Sequence, residues 1–182
     1  MYNVDCTVRG EIPEDAASLE TLTQTVFGPG MRARAAYVLR EGVHHEMDLS
    51  FVAERGGEIV GTVRLTKVNW GDGGDVVLML GPLAVLPDLK GRGIGKALML
   101  AAVEAARNKC ASGGTGGEDT GEGQPAIFLV GDLSYYGTFG FQRIPPDRVS
   151  LPRPADPMRV LACELKEGAL ATLSGPITRF GD

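Results

Sequence analysis

The chain has 182 residues, a formal net charge of −5 and 43% hydrophobic residues, as expected of one globular domain with a substantial core. The negative charge argues against nucleic acid as a partner, and no apolar run approaches the ~18 residues of a membrane helix. With no signal-peptide pattern and no zinc-like Cys/His spacing, we expect a cytoplasmic protein without a metal site, in which Cys6, Cys110 and Cys163 are free thiols.

The first part of the chain predicts a strand, two helices and a β-hairpin. The expected bounds are 3–8, 12–27, 31–40, 49–54 and 58–68. Gly28-Pro29-Gly30 should end the first helix, and Arg55-Gly56-Gly57 is typical of a hairpin turn. Arg64 and Lys67 alternate with apolar residues, so we expect them on a solvated strand face.

A central strand and a long helix follow. Residues 76–80 are all apolar, which favours a strand covered on both faces, and Gly81-Pro82 predicts a bulge or a splayed edge within the run to Val85. Residues 93–109 predict a helix, because Ile94, Leu98 and Ala101 lie at the spacing of one buried stripe.

The remaining elements complete one layered domain. Residues 112–124 have no anchoring apolar side chain, so we interpret them as a flexible surface insertion. A buried strand (126–130), a short helix (135–139), a strand from Phe141, a proline-rich connection (145–157) and a last strand (158–165) should follow, with the tail (167–180) capping the domain. This alternation predicts a single α/β (α+β) domain spanning 1–182.

Glycines alternate with cations between the central strand and the long helix, in Lys90-Gly91-Arg92-Gly93-Ile94-Gly95-Lys96. Strand, glycine-rich turn and helix in this order build an anion cradle, because glycine allows close backbone approach and the helix N-terminus attracts negative charge. The P-loop pattern fails, since Lys90 stands at its first glycine and Ala97 at its Ser/Thr. The dinucleotide pattern fails from Gly91 and from Gly93 alike.

Two segments together resemble the GNAT N-acetyltransferase superfamily, in particular its YhbS-like members. The first is Leu83-Ala84-Val85-Leu86-Pro87-Asp88-Leu89-Lys90-Gly91-Arg92-Gly93-Ile94-Gly95-Lys96-Ala97-Leu98, similar to the acetyl-CoA loop, with Lys90 where Arg or Gln is usual. The second is Tyr135-Tyr136-Gly137-Thr138-Phe139-Gly140-Phe141, similar to the family's aromatic-Tyr-x-x-x-Gly-Phe segment. Their order and separation match the family over roughly residues 50–145.

The resemblance implies a fold, a co-substrate and its binding residues. The sheet would be mixed but mostly antiparallel, splayed at the acetyl-CoA site and flanked by helices on both faces. Free backbone groups of the splayed strand would pair with pantetheine, and the cradle would hold the pyrophosphate. The residues expected to bind acetyl-CoA are Leu83, Ala84, Val85, Lys90, Gly91, Arg92, Gly93, Ile94, Gly95 and Lys96.

The implied reaction is transfer of the acetyl group to a primary amine by direct attack. The resemblance gives Tyr136 the role of general acid for the leaving thiolate; a packed aromatic is the alternative reading. No carboxylate lies in 76–85, where many relatives have their general base. Asp48, Glu54, Asp132, a water chain or an amine arriving deprotonated remain alternatives, while His44 and His45 are expected to be solvated.

Two other functions stay open at this point. A catalytically inactive acyl-CoA-binding sensor would account for the missing carboxylate, although Tyr136 argues against it. A nucleotide-binding regulator is disfavoured by both failed nucleotide motifs. The acceptor, a small-molecule or protein amine, is not identified by any sequence signal, and a homodimer is compatible with the family.

Overall fold

The computed structural model describes residues 6–29, 35–113 and 123–181. The strands are β1 (Thr7–Gly10), β2 (Phe51–Arg55), β3 (Glu58–Trp70), β4 (Asp75–Val85), β5 (Ala126–Val130), β6 (Gln142–Arg143), β7 (Val149–Ser150), β8 (Val160–Glu164) and β9 (Gly175–Arg179). The helices are α1 (Ala16–Phe27), α2 (Ala35–Arg40), α3 (Ile94–Ala111), α4 (Leu133–Tyr136) and α5 (Ala169–Thr172). The predicted insertion falls largely on 114–122, outside the described residues.

One twisted sheet organises these elements. Its strands lie in the order β1-β2-β3-β4-β5-β8-β6, and β9 pairs with β3 beyond the end of β2 while β7 pairs with β9. Neighbours along the main path pair antiparallel except β4 and β5, which are parallel. The predicted mixed, mostly antiparallel sheet is therefore confirmed.

The sheet opens between β4 and β5. The register of β3 against β4 shifts between Val63 and Leu65, so that Gly81-Pro82 forms the predicted bulge opposite a single residue of β3. The parallel pairing of β4 with β5 is limited to Leu78 with Ile127 and Met79 with Phe128. Both strands continue past this point without pairing with each other, which leaves a wedge-shaped slot between them.

Helices cover both faces of the sheet, as predicted. On one face α3 buries Ile94, Leu98 and Ala102 against Val63 and Leu65 of β3. On the other face, Leu19 and Leu22 of α1 pack on Val52 and Ala84, and Leu39 of α2 packs in a cluster with Val77 and Met79. The alternation of β4 side chains between the two clusters is the period-2 pattern of a strand buried on both sides.

The tail differs from the prediction. Residues 167–180 do not merely cap the domain, because β9 adds a strand to β3, with Val68, Asn69 and Trp70 facing Arg179, Thr178 and Ile177. Ile177 is buried with Trp70 in the cluster on the α2 face. A five-residue strand containing Pro176 carries little strand pattern of its own, and its pairing with a distant strand decides its conformation.

The predicted solvated face of β3 was also wrong. Glu11 is buried, and its two carboxylate oxygens accept hydrogen bonds from Arg64, Nε at 2.8 Å and Nη2 at 2.6 Å. His45 Nε2 lies 3.0 Å from Glu11 Oε1, so this histidine is paired as well. Lys67 lies 3.9 Å from Glu46 Oε1 and over the ring of Phe180. Arg64 and Lys67, on opposite faces of β3, therefore both pair with acids distant in the chain.

Candidate active site

The exposed edge of β4 forms one wall of the slot. The Leu86 amide donates to the Val60 carbonyl, and Ala84 lies opposite Thr62 in the same ladder. Because backbone groups alternate in direction along a strand, those of Leu83 and Val85 point the other way, towards β5. There, beyond Met79, no pairing with β5 occupies them. The edge therefore offers a row of donors and acceptors to an extended ligand.

The glycine-rich segment closes the slot at the N-terminus of α3. Gly91 and Gly93 have φ of +78° and +85°, which residues with a Cβ rarely adopt, and Gly93 is the residue immediately before the helix. The first intrahelical hydrogen bond runs from the Ala97 amide to the Gly93 carbonyl. The amides that precede it point out of the helix end, and the surrounding Lys90, Arg92 and Lys96 are exposed. This arrangement suits a phosphate or pyrophosphate.

The two tyrosines of α4 approach different elements that border the slot. The Tyr135 hydroxyl reaches the first turn of α3, where a Cβ on Gly95 would lie 2.9 Å from it. The Tyr136 ring lies against Gly131, at the end of β5, and forms edge contacts with Tyr135 and Phe141. Burial, and then the neighbouring Tyr135 and Asp132, raise the pKa of Tyr136 to about 12. Tyr136 is therefore a protonated donor at neutral pH.

A cavity of about 500 Å³ lies where the slot opens towards α1 and α2. Its walls combine the bulge and edge of β4, the end of β5, Tyr136, residues of α1 and α2, and the connection before β8. The lining includes Phe27, Ala36, Arg40, Leu80, Gly81, Pro82, Leu83, Val130, Gly131, Asp132, Tyr136, Ala155, Asp156 and Arg159. This volume is in the range of small-molecule sites, and Leu83 and Tyr136 connect it to the slot.

The charged groups of the cavity are of two kinds. At the exposed rim, Arg159 Nε lies 3.1 Å from Asp132 Oδ1, and Asp156 accepts a hydrogen bond from the Met158 amide. Deeper, the partly buried Arg40 donates from Nε to the Ala36 carbonyl at 3.0 Å. Burial, and then repulsion by Arg64, lower the pKa of Arg40 to about 10, so the guanidinium stays charged at neutral pH.

The candidates for a general base differ in whether they line the cavity. Asp48 pairs with Lys109 at 2.8 Å, and Glu54 pairs with Arg9 at 3.1 Å, both away from the cavity. His44 is exposed, as predicted, and His45 is bound to Glu11. Of these groups only Asp132 lines the cavity, and it already pairs with Arg159. Among the described residues, no three His, Cys, Asp or Glu side chains are grouped as a metal site.

The sequence interpretation missed Arg40 and Gly131. In the sequence, Arg40 is simply the last residue of a predicted short helix. Its place in the cavity depends on the packing of α2 against the bulge of β4. Gly131 carried a local signal, since a glycine directly after a buried strand and before a tyrosine-containing helix favours close packing.

No helix in the described part of the chain is long and apolar enough to cross a bilayer.

Comparisons with known proteins agree with this geometry. Residues 17–115, more than half of the chain, match the acetyltransferase (GNAT) family. The match includes β4, the glycine-rich segment and α3 but ends before Tyr136. Over 169 residues the chain is 28% identical to an uncharacterized N-acetyltransferase, YjhQ, of Escherichia coli (strain K12), covering 90% of this chain and 86% of that relative.

Solved structures show the same fold. The GNAT family N-acetyltransferase YhbS from Escherichia coli, solved in complex with CoA, has a TM-score of 0.75 at 22% identity, covering 98% of this chain and 94% of that chain. A GNAT family acetyltransferase from Brucella melitensis, solved in complex with acetyl-CoA, has a TM-score of 0.57 at 26% identity, covering 88% and 96%. The fold and the family predicted from the sequence are confirmed. The chain belongs to the acetyltransferase (GNAT) family.

Proposed function

We propose that this protein transfers the acetyl group of acetyl-CoA directly to a primary amine held in the cavity beside Tyr136. The observation that carries the proposal is the continuity of three parts, namely the cradle at α3, the unpaired edge at Leu83 and Val85, and the cavity containing Tyr136. Two relatives solved with CoA or acetyl-CoA share the fold. We further propose that residues 1–182 form a single domain.

The cradle and the strand edge would bind and orient the co-substrate. Amides of Gly91 to Gly95 at the positive end of α3, with Lys90, Arg92 and Lys96 around them, would hold the pyrophosphate. The backbone groups of Leu83 and Val85 would pair with the pantetheine amides, and an amide of this edge would stabilise the thioester oxygen as negative charge develops. Ala84 turns its side chain to the α1 core and fixes the strand.

Tyr136 would act on the leaving group. When the amine nitrogen attacks the thioester carbon and the C–S bond breaks, negative charge collects on sulfur, and a protonated phenol stabilises it by donating a hydrogen bond. A phenol with a pKa of about 12 is a weaker acid than a thiol with a pKa of ~8.5. Tyr136 would therefore stabilise the thiolate by a hydrogen bond and not by complete proton transfer. The proton lost by the attacking nitrogen would leave through water or Asp132.

The experiment is acetyl-CoA-dependent release of CoA with a panel of amines, for wild type and Tyr136→Phe. We expect Tyr136→Phe to lower kcat by about 10²-fold, the usual contribution of a positioned acid, and to leave the Kd of acetyl-CoA nearly unchanged. Unchanged kcat would remove Tyr136 from the mechanism. Tight acetyl-CoA binding with no CoA release from any amine would favour the inactive sensor.

A further inference from the structure

The cavity contains one cation whose charge no described carboxylate balances. Arg40 uses Nε to bond Ala36, and its remaining guanidinium donors bond no described group of the protein. Among the described residues no carboxylate lies within ion-pair distance of it. No buried side-chain nitrogen or oxygen in the described part of the chain lacks a partner, so the Nη atoms are not sealed in the core but have access to the cavity.

Glu11 and Asp132 are already engaged in ion pairs, and Asp156, exposed at the rim, accepts a hydrogen bond from the Met158 amide. Glu11 binds Arg64 with both oxygens and His45 with one of them, and Asp132 pairs with Arg159 at the exposed rim. Arg64 lies close enough to repel Arg40. A partly buried arginine beside a second cation costs free energy unless an anion joins it. The pocket therefore keeps a positive group that the described part of the chain leaves unbalanced.

The position of Arg40 excludes the pyrophosphate of the co-substrate as its natural anion. α2 packs on the face of the sheet where Val77 and Met79 are buried, whereas α3 and its cradle lie on the opposite face. The Nη1 atom would be 3.5 Å from a Cβ on Gly81, so the guanidinium lies against the bulge, on the acceptor side of the slot.

We propose that the acceptor is a small amine that carries a carboxylate, and that Arg40 binds this carboxylate. The inference rests on the proposed acetyl transfer, since it names the acceptor class for that site. The planar guanidinium matches a carboxylate with two parallel hydrogen bonds. Gly81 precedes Leu83 by two residues, at most ~7 Å along a strand. A carboxylate on Arg40 thus leaves the amine of an α- or β-amino acid within reach of the strand edge.

The test compares matched acceptors. Each of the twenty L-amino acids and β-alanine is assayed beside its primary amide and beside aminoalkylphosphonates of similar length, with acetyl-CoA and wild-type protein. We expect kcat/KM for the preferred free acid to exceed that of its amide by about 30-fold or more, the usual effect of a buried charge pair. The amide has the less basic amine, so without a carboxylate site it would be the better acceptor.

Variants assign the preference to Arg40. Arg40→Gln should lower kcat/KM for the free acid about 30-fold. It should leave kcat/KM for the corresponding amide and the Kd of acetyl-CoA at their wild-type values. Arg40→Lys, which retains charge but not the fork, should recover part of the loss. Arg143→Gln, on exposed β6 and outside the cavity, is the matched control for a lost surface charge and should show no effect. Thermal melting checks that all variants are folded.

The contrary outcomes are distinct. Equal or better turnover of the amides, or an equal loss for both acceptor sets in Arg40→Gln, would overturn the carboxylate site. Preference for the phosphonates would assign Arg40 to a phosphate group instead. CoA release only from neutral amines or polyamines would refute this inference and leave the acetyl transfer standing. Failure of every amine, despite acetyl-CoA binding, would overturn the proposed function itself.

Discussion

Gly131→Ala should displace the Tyr136 ring without altering the reactive groups. Gly131 lies at the end of β5, and its φ is outside the left-handed region, so alanine is compatible with the backbone. A Cβ at this position would lie 2.7 Å from Tyr136 Cδ2, with Cε2 closer still, and 3.1 Å from Leu129 Cδ1. Since ordinary contact begins near 3.4 Å, the ring must move by roughly 0.7 Å or more.

A displacement of this size predicts a loss of kcat of about 10- to 100-fold, because a shift near 1 Å of a positioned group can cost 10²-fold. Overpacking should also lower the free energy of unfolding by about 1–3 kcal/mol. The assay is steady-state CoA release with the best acceptor of the panel, well below the melting temperature. Gly137→Ala is the control, since its Cβ would lie 3.4 Å from Leu133 Cδ1, and its backbone is helical.

Tyr136→Phe completes a double-mutant cycle. If Gly131→Ala acts by moving the hydroxyl, its effect on kcat should largely disappear when the hydroxyl is already absent. An equal loss in both backgrounds, or wild-type kcat in Gly131→Ala, would refute the assigned position of Tyr136.

Two predictions concern stability. Glu11→Gln should cost about 2 kcal/mol, less than the 3–5 of a fully buried pair because Arg64 is partly exposed, whereas exposed Glu14→Gln should be neutral. Burial alone would raise the pKa of Glu11, but hydrogen bonds from His45 and Arg64 lower it below the ordinary 4.5. The ionised carboxylate of Glu11 therefore contributes its full stabilisation above pH 4.5, and this stabilisation is lost as the pH falls below that value. Urea unfolding of wild type and Glu11→Gln across pH measures the difference in free energy of unfolding. A difference that grows in favour of wild type at acid pH would contradict the pairing. Ile177→Ala should cost about 3 kcal/mol, because Ile177 of β9 is buried in the cluster that contains Trp70. Exposed Thr178→Ala should change stability by less than ~0.5 kcal/mol. Equal effects of the two substitutions in thermal melts would argue that β9 does not pair with β3.

The sequence predicted those parts of the fold whose patterns are local and strong. The apolar run of β5 was predicted with its observed bounds, and α3 begins within one residue and ends within two of its expected limits. Gly81-Pro82 marked the bulge, since proline cannot donate to a ladder. Each of these signals is contained in fewer than twenty consecutive residues and needs no knowledge of distant partners.

The missed features all depend on pairing across the fold. Glu11 and Arg64 are 53 residues apart in the chain, and neither has a local pattern that separates a buried ion pair from a solvated charge. The strand β7, inside the predicted proline-rich connection, has two residues, too few for any periodicity. Arg40 belongs to the site only because α2 lies over the bulge of β4. Tertiary contacts decide such positions, so a single sequence cannot reveal them.

The most direct test of the proposed acetyl transfer is a crystal structure with CoA, read at one distance, from the CoA sulfur to the Tyr136 hydroxyl oxygen. A sulfur within about 3.5 Å of this oxygen, with the pyrophosphate on the amides of Gly91 to Gly95, is the predicted result. A CoA sulfur more than about 6 Å from the Tyr136 hydroxyl oxygen, and within hydrogen-bond distance of a different donor, would contradict the role of Tyr136 and the use of this slot.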